Sequence, residues 1–307
     1  EGLPRMCAMV KEMGGVPGIQ LGHTGRKGSE LPPHRGTNSE GTWKQLPPDH
    51  PDGWTCVAPS AIPYGGGGHI YPVHQLTVEQ IKGLHRAYAD AAVRAMAAGY
   101  KWLELHYAHG YLGASFFSPL ANQRTDEYGG SVQNRARFVL EVTRAVAEAI
   151  GAGRTGIRLS PWGTDADMPH YPEMDETYAY LAEELQKIGV VYLHLVDHES
   201  MGAPAVSAAT VPLIREKFTN TLILSGGYTT VERIEEALSD KADLVAIGRP
   251  FISNPDLVER LQKSLPLAES DQATYYAPGP NGFADGYTDY PTADGQPAGT
   301  FSPSYEA

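Results

Sequence analysis

Short apolar stretches alternate with amphipathic ones along most of the 307-residue chain. Each apolar stretch is bounded by Gly, Pro or polar residues, which is the pattern of strands buried on both faces of a parallel sheet. We therefore predict six β-strands. They lie at 18–21, 102–106, 156–160, 190–195, 221–225 and 243–248.

The amphipathic stretches between these strands predict helices, since their apolar residues recur at helical spacing. Thr77 and Gln80 are spaced as in a capping box, so a helix is expected to begin there and to bury Ile81 and the apolar positions that follow it. Other helices are predicted to begin at Ser131, at 229–232 and at 254–255, to end at Gly189, and to end within residues 1–14.

The regular succession of strand and helix predicts an α/β fold with a parallel sheet, and its regularity favours a (β/α)8 TIM barrel. An open doubly wound sheet is the alternative, although no G-x-G-x-x-G follows a predicted strand. Six of the eight strands of such a barrel are visible. We therefore expect a single barrel domain over 1–307 that is N-terminally incomplete and begins inside the second helix of the barrel.

Two segments interrupt this alternation. Residues 26–75 are rich in Gly, Pro and His, and a segment of that length with little periodicity is expected to be a functional loop insertion. Residues 267–307 are rich in Gly, Pro and Tyr and contain no strand-like stretch. We interpret them as a C-terminal tail.

Composition and charge narrow the function classes. The formal net charge of −12 would repel phosphate backbones, so nucleic acid is not an expected partner. No apolar stretch is long enough to span a membrane. The two cysteines, Cys7 and Cys56, provide neither a disulfide framework nor a metal site, and we expect a reducing, cytoplasmic location.

Three polar side chains lie at or just after the end of the strand predicted at 102–106, namely His106, His109 and Tyr111. Active sites of α/β barrels lie at the carboxyl ends of the strands, so these side chains are expected there. Two imidazoles can polarise one carbonyl oxygen, and a nearby tyrosine can deliver a proton. A His-x-x-His metal site is the alternative, but strand alternation is expected to point Glu104 away and leave too few ligands.

Glycines end two of the later strands. Ser225-Gly226-Gly227-Tyr228 follows one strand, and Gly248-Arg249 follows the next. Barrels often bind phosphate at this position with backbone N–H groups, and Arg249 adds a charge-assisted contact. The two motifs together predict a phosphate site, whereas the double glycine alone also fits a simple turn.

Several sequence blocks resemble the Old Yellow Enzyme family. Its signature block is similar to His106–Leu112, Phe116–Pro119, Asn122–Ser131 and Asn134-Arg135. Its third, fifth and eighth strands are similar to Gly18–Arg26, Gly156–Ser160 and Ile247–Pro250.

The resemblance implies that the chain binds FMN and uses NADPH or NADH as reductant. His106 and His109 would bind the substrate carbonyl, and Tyr111 would protonate the alkene. The residues expected to contact FMN are Gln20 at the pyrimidine edge, Arg158 near N1 and O2, and Gly226, Gly227, Gly248 and Arg249 at the phosphate. For Arg158, a salt bridge inside the barrel is the alternative.

Three further residues are expected to shape the substrate pocket. Tyr276 would cap it while Tyr275 approaches the flavin, and for both the alternative is a tyrosine-rich surface tail. Gly22 stands where some family members have tryptophan, so it should leave more room for substrate. Trp162 is expected to refill part of that space.

These observations predict an FMN-dependent NAD(P)H oxidoreductase that reduces the C=C bond of α,β-unsaturated carbonyl or nitro compounds. Its partner would be a small electron-poor alkene, and a homodimer is compatible with the sequence. The main alternative is a truncated, catalytically weak or inactive barrel with impaired FMN binding. A lyase or isomerase acting on a phosphorylated substrate is a second alternative, but it would not explain His106, His109 and Tyr111.

Overall fold

The computed structural model of the chain describes residues 2–30, 45–65, 70–164, 167–199, 203 and 207–297. The strands in this part of the chain are β1 (Gly18–Leu21), β2 (Val57–Ala58), β3 (His74–Gln75), β4 (Trp102–His106), β5 (Thr155–Leu159), β6 (Tyr192–Val196), β7 (Thr221–Ser225) and β8 (Leu244–Ala246). Six of them form one parallel sheet in the order β1-β4-β5-β6-β7-β8. The order of strands in this sheet therefore follows their order in the chain.

Helices connect most of these strands. They are α1 (Gly2–Glu12), α2 (Val78–Ala97), α3 (Leu112–Phe117), α4 (Val132–Ile150), α5 (Met174–Ile188), α6 (Thr210–Lys217), α7 (Val231–Asp240), α8 (Arg249–Ser253) and α9 (Leu257–Gln262). Thr77 and Gln80 form the predicted capping box of α2. Ser131 caps α4, and Gly189 ends α5 in the left-handed region. Within the described ranges, none of the helices is long and apolar enough to cross a membrane.

The two faces of the large sheet differ in chemistry. One face carries a row of apolar residues that are paired across adjacent strands, each 0% exposed: Leu105, Ile157, Leu193 and Leu222. They belong to the hydrophobic core that includes α2, α4, α5 and α6. Neighbouring residues on a strand point to opposite faces, so His106, Arg158 and His194 lie on the other face. The polar face therefore carries the candidate site.

The predicted α/β class is confirmed, with six parallel strands at the predicted positions to within two residues. The short helices α3, α6 and α8 were not predicted, because they are too short to show a clear period. The helix predicted at 254–255 begins instead at Leu257. Asn254 Nδ2 donates to the carbonyl oxygens of Pro250 in α8 and of Ala268 after α9, so its side chain links the segments on either side of α9.

The structure describes parts of the two segments that interrupt the alternation of strand and helix. Within 26–75, β2 and β3 form a short parallel pair, while 31–44 and 66–69 lie outside the described residues. The first part of the tail, 267–297, contains turns and one 3-10 helix at Gln272–Thr274. The extents of the domain, the loop insertion and the tail stay predictions.

Candidate active site

A cleft of about 860 Å³ lies at the carboxyl ends of β5 to β8. Parallel strands end at the same edge of their sheet, so side chains that follow different strands meet there. Of the residues predicted for the site, His109, Arg158, Gly226, Gly227, Gly248, Arg249 and Tyr276 line this cleft. Those that do not line it are Gln20, Gly22, His106, Tyr111 and Trp162.

His106, His109 and Tyr111 form one cluster at the end of β4. The centroid of the His106 ring lies 5.1 Å from that of His109 and 5.3 Å from that of Tyr111, and both pairs are nearly perpendicular. A tight turn produces this arrangement, since His109 and Gly110 both have positive φ. The His109 amide donates to Ser160 Oγ at 2.8 Å. The chain therefore folds back, and the two imidazoles and the phenol come together.

His106 is held neutral in this cluster. Burial lowers its pKa to about 3, and the electrostatic influence of His109 and Arg158 acts in the same direction. The Ala108 amide donates to His106 Nδ1 at 3.2 Å, which assigns the proton of the neutral ring to Nε2. His106 is therefore an uncharged hydrogen-bond donor.

The prediction that Glu104 points away from His106 is wrong. Residues two apart on a strand share a face, so both side chains lie on the polar face of the sheet. Glu104 is 7% exposed and accepts hydrogen bonds from Gln20 Nε2 at 2.6 Å and Tyr192 OH at 3.0 Å. His194 Nδ1 lies 3.0 Å from the same carboxylate. Even so, no group of three His, Cys, Asp or Glu residues that could hold a metal occurs in the described chain.

A line of hydrogen bonds continues from Glu104 towards the cleft. His194 Nε2 lies 2.9 Å from Ser225 Oγ, and Ser225 Oγ donates to the Leu195 carbonyl oxygen at 3.2 Å. Burial by itself would raise the pKa of Glu104, but the hydrogen bond and charge of His194 outweigh it and the pKa is lowered. Glu104 is therefore an ionised carboxylate inside the fold.

Arg158 lines the cleft, and one hydrogen-bond donor of its guanidinium group is unsatisfied within the described chain. Its Nε is buried and has no hydrogen-bond partner among the residues that the structure describes. Burial lowers the pKa of Arg158, and the charge of Glu104 opposes that shift. A buried N–H group without a hydrogen-bond acceptor is costly, so a ligand that brings acceptor atoms to this wall of the cleft would be stabilised.

Glycine-rich strand ends line another wall of the cleft. We call Gly226, Gly227, Gly248 and Arg249 the phosphate cradle, after their predicted ligand. Gly226 has φ 107°, and a Cβ there would lie 2.0 Å from the Asp197 carbonyl oxygen, so only glycine fits. Bare backbone and one guanidinium suit a phosphate group. Together with Arg158, these residues fit the acceptor-rich ring and the phosphate of FMN.

The three residues predicted to shape the substrate pocket differ in how close they lie to the cleft. Gly22 lies against His106, because a Cβ on Gly22 would be 3.3 Å from the His106 Cβ. Tyr276 is 70% exposed at the cleft. Trp162 donates through Nε1 to side chains at the starts of α5 and α6. The structure therefore does not bring Trp162 to the cleft, and its role in substrate binding stays a prediction that this placement does not favour.

A third histidine, His198, packs against the cluster and was missed by sequence reasoning. Its ring is stacked on that of His109, with centroids 4.6 Å apart and planes within 5°. His198 is 2% exposed, so the stack fixes the plane of the His109 ring. It follows β6 and lies outside every block that carried the family resemblance, which is why no motif indicated it.

The fold and the cleft together define a class of protein. A sequentially ordered parallel sheet with a partly buried arginine and glycine-rich strand ends at its carboxyl edge is compatible with an α/β barrel that binds a phosphorylated cofactor. The model of the NADH:flavin oxidoreductase / NADH oxidase family matches residues 1–268. The chain belongs to this family, which includes Old Yellow Enzyme, and the predicted resemblance is confirmed.

Named relatives support this assignment. The chain is 41% identical over 230 residues to 12-oxophytodienoate reductase 2 of Arabidopsis thaliana, covering 73% of this chain and 59% of that protein. It is 40% identical over 241 residues to Enoate reductase 1 of Kluyveromyces lactis, covering 72% of this chain and 58% of that protein. The chain thus spans less than two thirds of the length of these curated relatives.

Solved structures agree with the predicted barrel class. Morphinone reductase superposes with a TM-score of 0.83 at 35% identity, covering 95% of this chain and 76% of that one. The Old Yellow Enzyme homologue from Zymomonas mobilis superposes with a TM-score of 0.76 at 31% identity, covering 92% and 77%. The fold prediction is therefore confirmed beyond its α/β class.

Proposed function

We propose that the protein is an FMN-dependent NAD(P)H oxidoreductase that reduces the C=C bond of α,β-unsaturated carbonyl or nitro compounds. The observation that carries this proposal is the cluster of His106, His109 and Tyr111 beside a cleft that also presents Arg158 and the phosphate cradle. The names of two relatives, an enoate reductase and a 12-oxophytodienoate reductase, support it.

FMN would be held from two sides. The Gln20 amide gives one N–H to Glu104, which leaves its oxygen and its second N–H for the polar edge of the flavin ring. Arg158 would bind the end of the ring where negative charge grows on reduction, and the phosphate cradle would bind the phosphate. Bound FMN, reduced by NADH or NADPH, would supply the hydride needed at the β-carbon of the alkene.

His106 and His109 would bind the carbonyl or nitro oxygen of the substrate. Neutral His106 offers its Nε2 proton, and two donors aimed at one oxygen withdraw electron density from the β-carbon. Tyr111 would give a proton to the α-carbon, and water would later return it. Only alkenes with an electron-withdrawing oxygen group would react, since the two histidines need an acceptor.

Reconstitution with FMN followed by an NAD(P)H oxidation assay tests the proposal. Nicotinamide oxidation should accelerate when 2-cyclohexenone is added, and the saturated ketone should form. Replacing His106 and His109 together with Ala should abolish ketone formation while NAD(P)H still reduces the flavin. His74→Ala, at an exposed histidine, is the matched control. Ketone formation that survives the double substitution would contradict the role of the two histidines.

A second candidate is a protein of the same fold that binds FMN weakly and turns over slowly. The edges of the described sheet favour it, because Gln20 of β1 is exposed and Leu244 of β8 is 52% exposed. Solvent would then reach the strand expected to hold the flavin ring. A yellow protein that keeps its flavin through dialysis excludes this candidate, and a colourless protein that takes up no FMN supports it.

We further propose a cytoplasmic location and a homodimer, as the sequence allows. Size-exclusion chromatography with light scattering tests the dimer. Parallel assays with NADH and NADPH decide the reductant.

A further inference from the structure

Lys27 lies beside the proposed proton donor. Its Nζ is 5.7 Å from the centroid of the Tyr111 ring and 5.7 Å from that of the Tyr64 ring. An ammonium group within about 6 Å of a ring centroid is attracted to the ring. Among the described residues, Lys27 forms neither an ion pair nor a side-chain hydrogen bond. Its charge is therefore directed at two phenol rings.

Backbone contacts dock the turn that carries Lys27 onto the helix that follows Tyr111. The Leu112 amide donates to the His23 carbonyl oxygen at 3.0 Å. Gly25 has φ 63° and approaches so closely that a Cβ there would lie 3.0 Å from the Leu112 Cα. The main chains of Lys27 and Tyr111 are therefore held at a fixed separation.

Arg26 links the segment that bears the Tyr64 ring to the turn that carries Lys27. It is 3% exposed, and its Nη1 donates to the Pro63 carbonyl oxygen at 3.5 Å. Pro63 immediately precedes Tyr64, so Arg26 links the segment bearing Tyr64 to the turn bearing Lys27. The ammonium group of Lys27 consequently has a ring from each of two fixed segments beside it.

We propose that Lys27 is a positioning residue for proton transfer, whose ammonium stabilises the negative charge that develops on the Tyr111 phenol. In that step the O–H bond of Tyr111 breaks and a C–H bond forms at the α-carbon, while Lys27 transfers no proton. A cation beside the ring gains attraction as the phenol becomes phenolate, so it stabilises the transition state more than the ground state. The inference rests on the proposed function, in which Tyr111 is the proton donor.

Rapid mixing of the reduced holoprotein with 2-cyclohexenone tests the inference with two variants. Lys27→Met keeps an unbranched side chain and removes the charge, whereas Lys27→Arg keeps the charge. We expect Lys27→Met to slow flavin reoxidation by the enone about tenfold, and Lys27→Arg to restore most of the rate. Flavin reduction by NAD(P)H, FMN affinity and melting temperature should be unchanged in both. Equal enone rates for Lys27→Met and wild type would overturn the inference.

A double-substitution cycle separates an effect through Tyr111 from an independent one. In a Tyr111→Phe background, adding Lys27→Met should cause no further loss of enone reduction, because the proton donor is already absent. A nitroalkene is the matched substrate control, since addition to it gives a stabilised nitronate that needs no proton in the site. Additive losses in the cycle, or an equal loss with the nitroalkene, would overturn the inference.

Recognition of an anionic substrate is the competing role for Lys27. It predicts a higher KM only for enones that carry a carboxylate, with kcat unchanged for neutral enones, and that result would overturn the inference. A wild-type holoprotein that reduces no enone would instead contradict the proposed function itself. The two failures are therefore distinguishable.

Discussion

Gln20 donates its side-chain amide to Glu104 at 2.6 Å, and the two residues are directly paired on the adjacent strands β1 and β4. Since Nε2 faces the carboxylate, Oε1 is turned away from it. An outward amide oxygen suits the imide N–H of a flavin ring. The carboxylate therefore sets the orientation of the side chain that is proposed to contact the ring.

Glu104→Gln should weaken both the fold and flavin binding. The substitution removes the charge that Tyr192, His194 and Gln20 share, and losing one partner of a buried ionic network costs about 3 kcal/mol. We expect the free energy of unfolding, measured by urea denaturation, to fall by about that amount. The Kd for FMN, measured by fluorescence titration, should rise about tenfold. Glu148→Gln, at an exposed position of α4, is the control. Equal effects of both substitutions would contradict the network.

The burial of His106 should make the protein less stable in mild acid. Its pKa in the folded state is about 3, against about 6.5 in an unfolded chain. Because the folded-state pKa is depressed, the unfolded chain binds the proton first as the pH falls through 6.5, and stability is lost from there downwards. We expect a loss of about 2 kcal/mol between pH 7 and pH 5, measured by urea denaturation.

Two variants isolate this effect from other titrating groups. His106→Asn should lose distinctly less stability than the wild type between the two pH values. His74→Asn, at an exposed histidine, should behave as the wild type. If the pH dependence of His106→Asn equals that of the wild type, the burial of His106 is not the cause.

Gly22→Trp should narrow the range of accepted enones. A side chain at Gly22 begins 3.3 Å from the His106 Cβ, so an indole would crowd the imidazole that is proposed to bind the carbonyl. We expect KM to rise about tenfold or more for bulky cyclic enones and to change little for 2-cyclohexenone. Steady-state assays over a substrate series measure this. Unchanged selectivity would dismiss Gly22 as a determinant of pocket size.

Arg249→Gln should weaken the binding of FMN and spare that of riboflavin. The two flavins differ only by the phosphate, which the phosphate cradle is proposed to hold. Loss of one charge-assisted hydrogen bond predicts an FMN affinity about tenfold lower, with riboflavin affinity unchanged. Fluorescence titrations with both ligands provide the comparison. Equal losses for the two flavins would place the effect of Arg249 elsewhere than at the phosphate.

The strands and long helices could be predicted because their signals are local. Leu222–Leu224 is an apolar stretch flanked by the polar residues Thr221 and Ser225, and the structure places β7 at the predicted five positions, Thr221–Ser225. Thr77 and Gln80 act within one helical turn, so their capping box is visible in the sequence. By contrast, α3 has six residues and α8 has five, which is too short for a hydrophobic period to emerge.

The parts of the candidate site that were missed depend on contacts between distant residues. Gln20 and Glu104 are 84 residues apart, and Glu104 and His194 are 90 apart. No local pattern joins them, and the sequence interpretation even placed Glu104 on the wrong face. His198 joins the cluster only because the end of β6 comes close to the turn after β4. His106, His109 and Tyr111 were found because they lie within one turn.

The sequential order of the sheet also divides the site along the chain. Gln20 and the cluster of His106, His109 and Tyr111 precede α4, and Arg158, the phosphate cradle and Tyr276 follow it. The boundary is the pairing of β4 with β5, where Leu103 faces Thr155. A single genetic crossover within α4 between two relatives would therefore exchange the catalytic cluster together with Gln20 and leave the phosphate cradle unchanged. The catalytic cluster and the phosphate cradle could thus come from different parents, whereas the flavin ring would contact residues from both.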